Sequence, residues 1–581
     1  MDQYHKKMLE EEKKRLAVAQ GSEPADLLLK NGRIINVFTL EIEKGNVAIS
    51  GERIAGVGSD YTKGRETVDL EGNYVAPGLI DAHLHVESTL LLPPELARLI
   101  VPHGTTAIIN DPHEIANVMG VEGVELMLAA SEGLPCDFFA TVPSCVPTSV
   151  METAGGEINA EQVSTLLAHP RVVGLGEMMN YPGVLNGNEE VLQKIFAAHR
   201  AGKVVDGHAP ALSGRALQAY TGSGISTDHE SITAVEAREK LRNGMKIIIR
   251  HGSATSSLAD LLPLVTPASS DMFMFGSDDR EAGELLEKGH LDELLTTAVE
   301  LGAEPLTVVK VASYNAARHF RLYDRGAVAV GYRADLVIFG DLNEFPVQMV
   351  FKDGRPVARA GHMLNDVAAY KLPRSACCTV KLNRPLQEKD FTLSYPSEQV
   401  PVIGVVPGQL ITEKLFIHVQ RSEEGNISAR PGPELNKIAV IERHGKGGGM
   451  TTALIKGLNL QTGAIASSVG HDSHNIIVVG ASEKAMAVAV NELASIGGGF
   501  VVVGGDNLVE ASLPLPVAGL MTAEKAETVA QKMSAVLSAA HRLGTDLPQP
   551  FLTLSFMALP VIPSLKITDR GLVDVDNFAF L

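Results

Sequence analysis

Short apolar segments alternate with amphipathic segments through the middle of the chain, roughly from residue 74 to residue 325. The apolar segments predict eight strands, in residues 74–88, 105–113, 137–145, 172–180, 203–210, 224–231, 246–253 and 272–280. Amphipathic stretches between them, such as residues 93–104, 189–202 and 232–244, predict helices. Strands that alternate with helices eight times are typical of a (β/α)8 TIM-type barrel, so the fold class that we predict is α/β.

Short β-rich segments flank the predicted barrel on both sides. Residues 26–58 form one such segment, and residues 326–341 and 346–357 form the other. Asn31-Gly32 and Gly51-Glu52 stand where hairpin turns belong in the first segment. We therefore expect one small composite β domain that is built from both segments.

After about residue 370 the composition changes, and the pattern predicts strands and amphipathic helices of a separate α/β or α+β domain. The predicted organisation has four parts: a charged N-terminal helix (1–24), the composite β domain (25–73 with 326–370), the barrel (74–325) and the C-terminal domain (371–581).

Composition narrows the classes of partner. The chain has 581 residues and a formal net charge of −19, which would repel nucleic acid and anionic membranes. Its 4 cysteines form no CxxC pair, and the Lys- and Glu-rich residues 1–20 contain no apolar segment of a secretion signal. No apolar run approaches the length of a membrane span. We expect a cytoplasmic protein whose partner is a small molecule.

Two histidines stand two residues apart at the end of the first predicted strand. Side chains alternate along a strand, so His83 and His85 point to the same face. Two neutral imidazoles on one rigid face form half of a site for Zn, Mn or Fe. A lone histidine here would more often belong to the core, so the interpretation depends on the other strands.

The other predicted strands end in further residues that bind borderline metals. The fourth ends in Glu177, the fifth in His208, the sixth in His229 and the eighth in Asp278. With the first-strand pair they make four histidines and two carboxylates at the rim where such barrels carry catalytic groups. Six ligands exceed the need of one ion, and a carboxylate such as Glu177 can bridge two. We therefore predict a binuclear centre.

This order of residues resembles the amidohydrolase superfamily: a His-x-His pair, a bridging group, two single histidines and an aspartate. A closer resemblance, to bacterial adenine deaminases, covers nearly the whole chain after the first two dozen residues. The segments that carry it are PGLIDAHLHVESTLLLP, NDPHEIANV, GLGEMMNYPGV, DGHAP, STDHES, GSDDR, ERH, HDSHN, LASIGGGFVVV and PFLTLSFMALPVIPSLKITDRGLVDVD.

The resemblance implies a purine deaminase that acts on the free base and converts adenine to hypoxanthine and ammonia, as in purine salvage. It also implies two divalent metal ions, Mn or Fe, with Zn also able to bind, and a homodimer. In many amidohydrolases the bridging group resembles a carboxylated lysine, whereas Glu177 takes that place here.

The chemistry assigns roles to several residues. Two cations lower the pKa of a bridging water, and the resulting hydroxide would attack C6 of adenine, with Glu177 as the bridging carboxylate. Asp278 is the best candidate to take the proton of this hydroxide and pass it towards the departing amine. A carboxyl acid is then needed near ring nitrogen N1. Glu114 and Asp279 are both candidates for this proton delivery or for substrate contact.

One position departs from the pattern expected of relatives. An acid is expected after the arginine that ends the seventh strand, whereas this chain has Arg250-His251-Gly252. A histidine in place of an acid would change the local charge and proton transfer at this position. If the position touches the substrate, Arg250 and His251 are candidate substrate-binding residues. Two alternatives stay open: an amidohydrolase that acts on another heterocyclic base, and a non-catalytic metal-binding homologue.

Two further histidine motifs have a less specific meaning. His113-Glu114 follows the second predicted strand, where it would either orient a ligand or lie in an ordinary loop. His471-Asp472-Ser473-His474 has the residue types of a metal site or a catalytic triad. We interpret it as a polar turn that packs against the barrel or against a second subunit.

Overall fold

The computed structural model of this protein describes residues 3–253, 255–423 and 425–581. Its first element is the helix Gln3–Ala19, which carries pairs of opposite charge such as Lys13 and Glu10 (2.8 Å). The end of this helix is anchored where the hydroxyl of Tyr61 donates a hydrogen bond to the carbonyl of Ala19 (2.9 Å). Among the described helices, none is long and apolar enough to cross a membrane.

Strands from both sides of the barrel segment form one mixed sheet of nine strands. These strands are Ala25–Asn36, Glu41–Ser50, Arg53–Gly58, Gly64–Asp69, Tyr74–Pro77, Leu336–Phe339, Val347–Lys352, Arg355–Arg359 and His362–Met363. The two sets meet where Leu336–Phe339 pairs antiparallel with Tyr74–Pro77. The shared sheet therefore ties the beginning and the end of the barrel segment together.

The predicted hairpin turn at Asn31-Gly32 is wrong. Ala25–Asn36 is one continuous strand, and its pairing with the next strand shifts register between Leu29 and Gly32. Asn31 has a φ of 58°, so the left-handed backbone that favours a turn at this residue serves a β-bulge instead. Gly51, with a φ of 59°, does lie in a hairpin turn.

Eight parallel strands of the middle segment form the predicted (β/α)8 barrel, which confirms the α/β fold class. They are Leu79–Leu84, Thr105–Asn110, Asp137–Val142, Val172–Met178, Val204–Gly207, Thr227–Asp228, Lys246–Arg250 and Phe273–Gly276. The backbone N–H of Asp278, after the eighth strand, donates to the carbonyl of His83 in the first strand (2.9 Å). The N–H of Ser226, before the sixth strand, donates to the carbonyl of Val205 in the fifth (3.0 Å). These bonds close the ring.

Helices surround the barrel because each buries an apolar face against the strands. Side-chain caps start two of the predicted helices: Asn188 accepts from the N–H of Val191 (3.1 Å), and Thr233 accepts from the N–H of Glu236 (3.3 Å). The helices of this segment are Pro93–Ile100, His113–Met119, Val121–Ala130, Ala160–Leu166, Tyr181–Leu185, Glu189–Arg200, Gly214–Gly222, Ala234–Arg242, Leu258–Leu261, Ala282–Lys288, Leu291–Glu300, Pro305–Lys310, the π-helix Val311–Asn315 and Ala316–His319.

The C-terminal segment is built around a second sheet of eight strands. In sheet order they are Thr412–His418, Gln399–Val405, Met450–Lys456, Leu435–Ile441, Ile476–Gly480, Ala464–Ser467, Gly499–Val503 and Val509–Pro514. The helices of this segment are Glu483–Ser495, Ala526–Arg542 and Pro550–Ser555. A small antiparallel sheet contains Leu565–Thr568, Gly571–Asp574 and Ala579–Phe580. Short 3-10 helices in the chain are Glu87–Thr89, Val101–His103, Leu262–Leu264, Ser270–Met272, Arg374–Cys377, Glu388–Phe391 and Phe556–Ala558.

The C-terminal segment lies directly on the mouth of the barrel, where the strands end. The hydroxyl of Thr148, in the loop after the third barrel strand, donates to the carboxylate of Asp472 (2.6 Å). The side-chain amide of Asn475 donates to the carbonyl of Thr153 in the same loop (2.9 Å). The polar turn around these residues therefore packs against the barrel, next to the ends of the strands.

Candidate metal centre and cavity

The first barrel strand presents two imidazoles to one place inside the barrel mouth. His83 and His85 are buried, with 1% and 4% of their surfaces exposed. Their Nε2 atoms are 3.2 Å apart. Both nitrogens are therefore close enough to bind the same cation, because metal–imidazole bonds are about 2.0–2.1 Å long.

Glu177, at the end of the fourth strand, stands between two pairs of histidines. Its Oε1 lies 3.4 Å from Nε2 of His85 and 4.0 Å from Nε2 of His83. Its Oε2 lies 2.5 Å from Nδ1 of His208 and 3.2 Å from Nε2 of His229. One oxygen faces each pair, which is the geometry that a carboxylate needs to bridge two cations.

Asp278 completes the group from the eighth strand. Its Oδ1 lies 3.3 Å from Nε2 of His85 and 3.5 Å from Nε2 of His83. Its Oδ2 accepts a hydrogen bond from the guanidinium of Arg250 (2.8 Å). Asp278 has a φ of 55°, a costly conformation for a residue other than glycine, and such conformations concentrate at functional sites. The six residues now described form the candidate metal centre.

Groups behind the first-strand histidines fix the orientation of both rings. Nδ1 of His83 donates to the carboxylate of Asp206 (3.2 Å), and Nδ1 of His85 donates to the backbone carbonyl of Asp111 (2.9 Å). A ring whose Nδ1 donates presents Nε2 to a metal as a free lone pair. Both Nε2 atoms are thus aimed at Glu177 and Asp278.

The charge of the candidate metal centre suits a cation. Burial lowers the pKa of His83, but Asp206 and Asp278 raise it to about 10 on balance. Burial would raise the pKa of Glu177, but His229 and His208 hold it well below its ordinary value. The centre contains three overlapping groups, in each of which the ligand atoms lie within 4.8 Å of one another: His83, His229 and Asp278; His83, His85 and Glu177; and Glu177, His208 and His229. Imidazoles and carboxylates together suit Zn, Mn and Fe, and cation binding would displace the protons that these imidazoles hold.

A cavity of about 390 Å³ opens beside the candidate metal centre, between the barrel and the C-terminal segment. This volume lies in the range of small-molecule sites, roughly 300–1,000 Å³. Barrel residues on its wall include Ser88, Glu114 and Asp279, and the C-terminal segment contributes His471 and apolar side chains of the helix Ala526–Arg542. Asp279 has a carboxylate oxygen within 4.8 Å of ligand atoms of Asp278 and His85, so the cavity and the centre adjoin there.

Glu114 is the most buried acid on the cavity wall. Burial raises its pKa, and the charge of Asp279 adds to this rise, while His471 acts in the opposite direction. The hydroxyl of Ser88 donates to the carboxylate of Asp279 and lies 3.4 Å from Oε1 of Glu114. A carboxyl group with a raised pKa can keep its proton near neutral pH and deliver it to a bound molecule.

Comparison with known proteins places this geometry in a family. Residues 74–357 match the amidohydrolase family, and residues 409–579 match the adenine deaminase C-terminal domain. An adenine deaminase of Dehalococcoides mccartyi is 47% identical over 566 residues, which are 97% of this chain and 98% of that protein. An adenine deaminase of Desulfatibacillum aliphaticivorans is 46% identical over 97% of this chain and 98% of that protein. Adenine deaminase 2 of Carboxydothermus hydrogenoformans is 45% identical, with 97% of each chain covered.

The chain belongs to the adenine deaminase family. The resemblance inferred from the motifs is thereby confirmed. The matches run through the barrel, which carries the candidate metal centre, and through the C-terminal segment, which carries the other wall of the cavity.

Arg250 and His251, the candidate substrate-binding pair, do not lie on the cavity wall of this adenine deaminase family member. The guanidinium of Arg250 lies between Asp278 and Glu230, 2.6 Å from Oε1 of the latter. The ring of His251 contacts the carboxylate of Glu293 through Nε2 (3.2 Å). Arg250 is therefore placed to position a candidate ligand, and His251 faces a helix outside the cavity.

The sequence does not predict the position of three residues of the site. Asp206 lies two residues before His208, and its contact with His83 follows from the closed barrel rather than from any motif. Ser88 carries no distinguishing pattern beyond its place after the first strand. His471 stands in a noted motif, but its position on the cavity wall depends on contact between distant segments.

Proposed function

We propose that this protein hydrolyses adenine to hypoxanthine and ammonia. The observation that carries the proposal is the match to adenine deaminases over 97% of the chain, since it spans both the barrel and the C-terminal wall of the cavity. The cavity adjoins the ligand cluster and has a size suited to a small molecule, about 390 Å³.

We propose that His83, His85, Glu177, His208, His229 and Asp278 hold two divalent ions, Mn or Fe, with Zn as a possible substitute. When bound, such ions supply a water nucleophile that is activated at neutral pH. The two oxygens of Glu177 would hold one ion each, because each oxygen faces a different pair of histidines.

The remaining roles belong to acids beside the cavity. Asp278 would accept the proton of the attacking water, and Arg250 keeps it ionised, because the guanidinium holds the pKa of Asp278 well below its ordinary value despite burial. Glu114, whose pKa burial raises, would donate a proton at N1 of the ring. Asp279 would contact the substrate, oriented by its hydrogen bond from Ser88.

The wider setting is also a proposal. Purine salvage in the cytoplasm, with the enzyme as a homodimer, is consistent with the family and with a net charge of −19 that disfavours nucleic acid and membranes as partners. The position of His251 outside the cavity wall gives no support to a different heterocyclic substrate. We therefore retain a single candidate function.

A substrate panel tests this function. Protein that has been stripped with a chelator and reloaded with Mn is incubated with adenine, adenosine, guanine or cytosine, and products are followed by ultraviolet absorbance and chromatography. We expect stoichiometric hypoxanthine and ammonia from adenine, and no turnover by the stripped protein. Turnover of another base in preference to adenine, or of adenine without metal, would contradict the proposal.

A further inference from the structure

One turn of the C-terminal segment reaches the wall of the cavity. We call residues 470–475 the His471 turn. Its Asp472 and Asn475 are bound to the barrel loop after the third strand, through Thr148 (2.6 Å) and through the carbonyl of Thr153 (2.9 Å). The turn is therefore held against the barrel at both of these residues, and His471 lies at its cavity end.

The ring of His471 is held in one orientation. It stacks on the ring of Phe556, with centroids 4.6 Å apart and planes inclined by 19°. Its Nδ1 lies 3.6 Å from Oδ1 of Asp472 and 3.5 Å from Oε1 of Glu114, the proposed acid. Its backbone N–H donates to the carbonyl of Ser555 (3.2 Å). An immobile ring costs little conformational entropy when it binds a ligand.

The opposite edge of this ring is available to a ligand. The side chain of His471 is only 10% exposed, yet it lines the cavity. Among the described residues, no side chain pairs with its Nε2, whereas Nδ1 faces two carboxylates. A ring nitrogen on a cavity wall without a protein partner is available to bond to whatever fills the cavity.

We infer that His471 is a substrate-binding residue, which bonds through Nε2 to a ring nitrogen of the purine held beside Glu114. This inference rests on the proposed function. A purine suits the site because it is flat and carries unprotonated nitrogens around its edge, each of which accepts a hydrogen bond. Burial lowers the pKa of His471, but the hydrogen bond to Asp472 and the surrounding negative charge raise it to about 9 on balance, so the imidazolium can donate from both nitrogens.

The inference gives the C-terminal segment a part in substrate recognition. The barrel supplies the candidate metal centre and the proposed acid, and the segment from the other side of the cavity supplies a donor for the base. A free base offers no sugar or phosphate to bind. Its ring nitrogens are therefore the groups on which a cavity of this kind can discriminate.

Kinetics of three variants test the inference. We compare His471→Ala and His471→Gln with His418→Gln, which changes an exposed histidine on the same segment. For His471→Ala we expect kcat/KM for adenine to fall about 10- to 100-fold, mainly through KM, as for loss of a hydrogen bond to a buried donor. His471→Gln should restore part of this loss, because its amide can still donate. Metal content should be unchanged in all three.

Purine analogues then identify the bond itself. Dissociation constants of adenine and of 1-deaza-, 3-deaza- and 7-deazaadenine are measured by calorimetry on chelator-stripped protein, which should not turn adenine over, for the wild type and for His471→Ala. We expect one analogue to bind the wild-type protein more weakly than adenine does. The same analogue and adenine should bind His471→Ala with equal affinity, because the bond that the analogue lacks is already absent from the variant.

Equal kcat/KM in wild type and His471→Ala, or identical analogue profiles in both proteins, would overturn the inference. Loss of metal or of folding in both His471 variants would also overturn it, because the residue would then be structural. Failure of the proposed function is a separate result: the wild-type protein would not deaminate adenine, while binding of the purines to both proteins could still be measured.

Discussion

The barrel and the C-terminal segment each carry a pair of closely spaced buried histidines, and the two pairs differ in their surroundings. His83 and His85 face the carboxylates of Glu177 and Asp278, and carboxylates raise the pKa of both rings despite burial. Of the C-terminal pair, His471 faces carboxylates, but His474 does not: it is equally buried, and burial together with the positive charges of His471 and Arg443 holds its pKa well below the ordinary value. Its Nε2 has no hydrogen-bond partner in the described structure.

The comparison shows that spacing and burial do not by themselves make a histidine a metal ligand. His319 lies in the barrel segment and is buried as well, and burial with the charge of Lys246 lowers its pKa to about 3. What distinguishes the candidate ligands is that several imidazoles share the same carboxylates, Glu177 and Asp278, which arrive from other strands of the barrel. A site of this kind therefore exists only after the barrel has closed.

The largest effect on activity is expected from removing one of the two carboxylates of the candidate metal centre, Glu177 and Asp278. Asp278→Asn should lower kcat for adenine by about a thousand-fold or more, because the same side chain is proposed to accept a proton and to hold a metal ion. The rate of hypoxanthine formation measures this. Asp271→Asn is the matched control, since Asp271 precedes the same barrel strand at its opposite end and is exposed. Equal activity of the two variants would contradict the assignment.

A smaller effect is expected from the proposed acid. Glu114→Gln should lower kcat by about a hundred-fold, because an amide has the same shape but no proton to deliver. The raised pKa of Glu114 predicts that the wild-type rate falls as pH rises and this group ionises, and that this limb disappears in the variant. A pH profile of kcat checks both points.

The control for this variant is Glu125→Gln, which changes an exposed carboxylate on the next helix, Val121–Ala130. It should keep the rate and the pH profile of the wild-type protein. An unchanged alkaline limb in Glu114→Gln would show that another group, such as Asp279, supplies the proton.

The smallest effect concerns stability, and it comes from a histidine without carboxylates. His319 has a pKa of about 3 in the folded protein, below the ordinary value of 6.5, so the unfolded chain binds more protons between these values. Stability should therefore fall as pH drops below about 6.5, by about 2 kcal/mol at pH 5 from this residue alone.

Urea unfolding of wild type and His319→Leu at pH 7 and pH 5 measures this difference. The variant should lose less stability on acidification, whatever its stability at pH 7. The exposed residue His362 provides the control His362→Leu, which should keep the pH dependence of the wild-type protein. Equal slopes for all three proteins would contradict the lowered pKa of His319.

The strand ends explain why much of the barrel could be predicted from the sequence. A parallel strand is apolar until it reaches the rim, so the change to His83, Glu177 or Asp278 marks both the end of the strand and the candidate ligand. Prediction from local sequence fails where the same residues fit two different backbone structures. Asn31-Gly32 favours both a hairpin turn and a β-bulge, and the strand pairing decides between them.

Contacts between distant segments account for what could not be predicted. His251 adjoins Arg250 in sequence, yet it lies past the end of the strand, and its ring contacts Glu293 and does not line the cavity. His471 reaches Glu114 only because the C-terminal segment docks on the barrel, and no pattern within either segment records that contact. The roles proposed for these residues therefore depend on the assembled structure.

Metal stoichiometry shows whether Glu177 joins two metal sites. Chelator-stripped protein is titrated with Mn, desalted and analysed by inductively coupled plasma mass spectrometry, for wild type, Glu177→Gln and the exposed control Glu189→Gln. We predict two Mn per chain in the wild type and the control, and one or fewer in Glu177→Gln. Two tightly bound Mn in Glu177→Gln, or a single Mn in the wild type, would show that Glu177 does not join two metal sites.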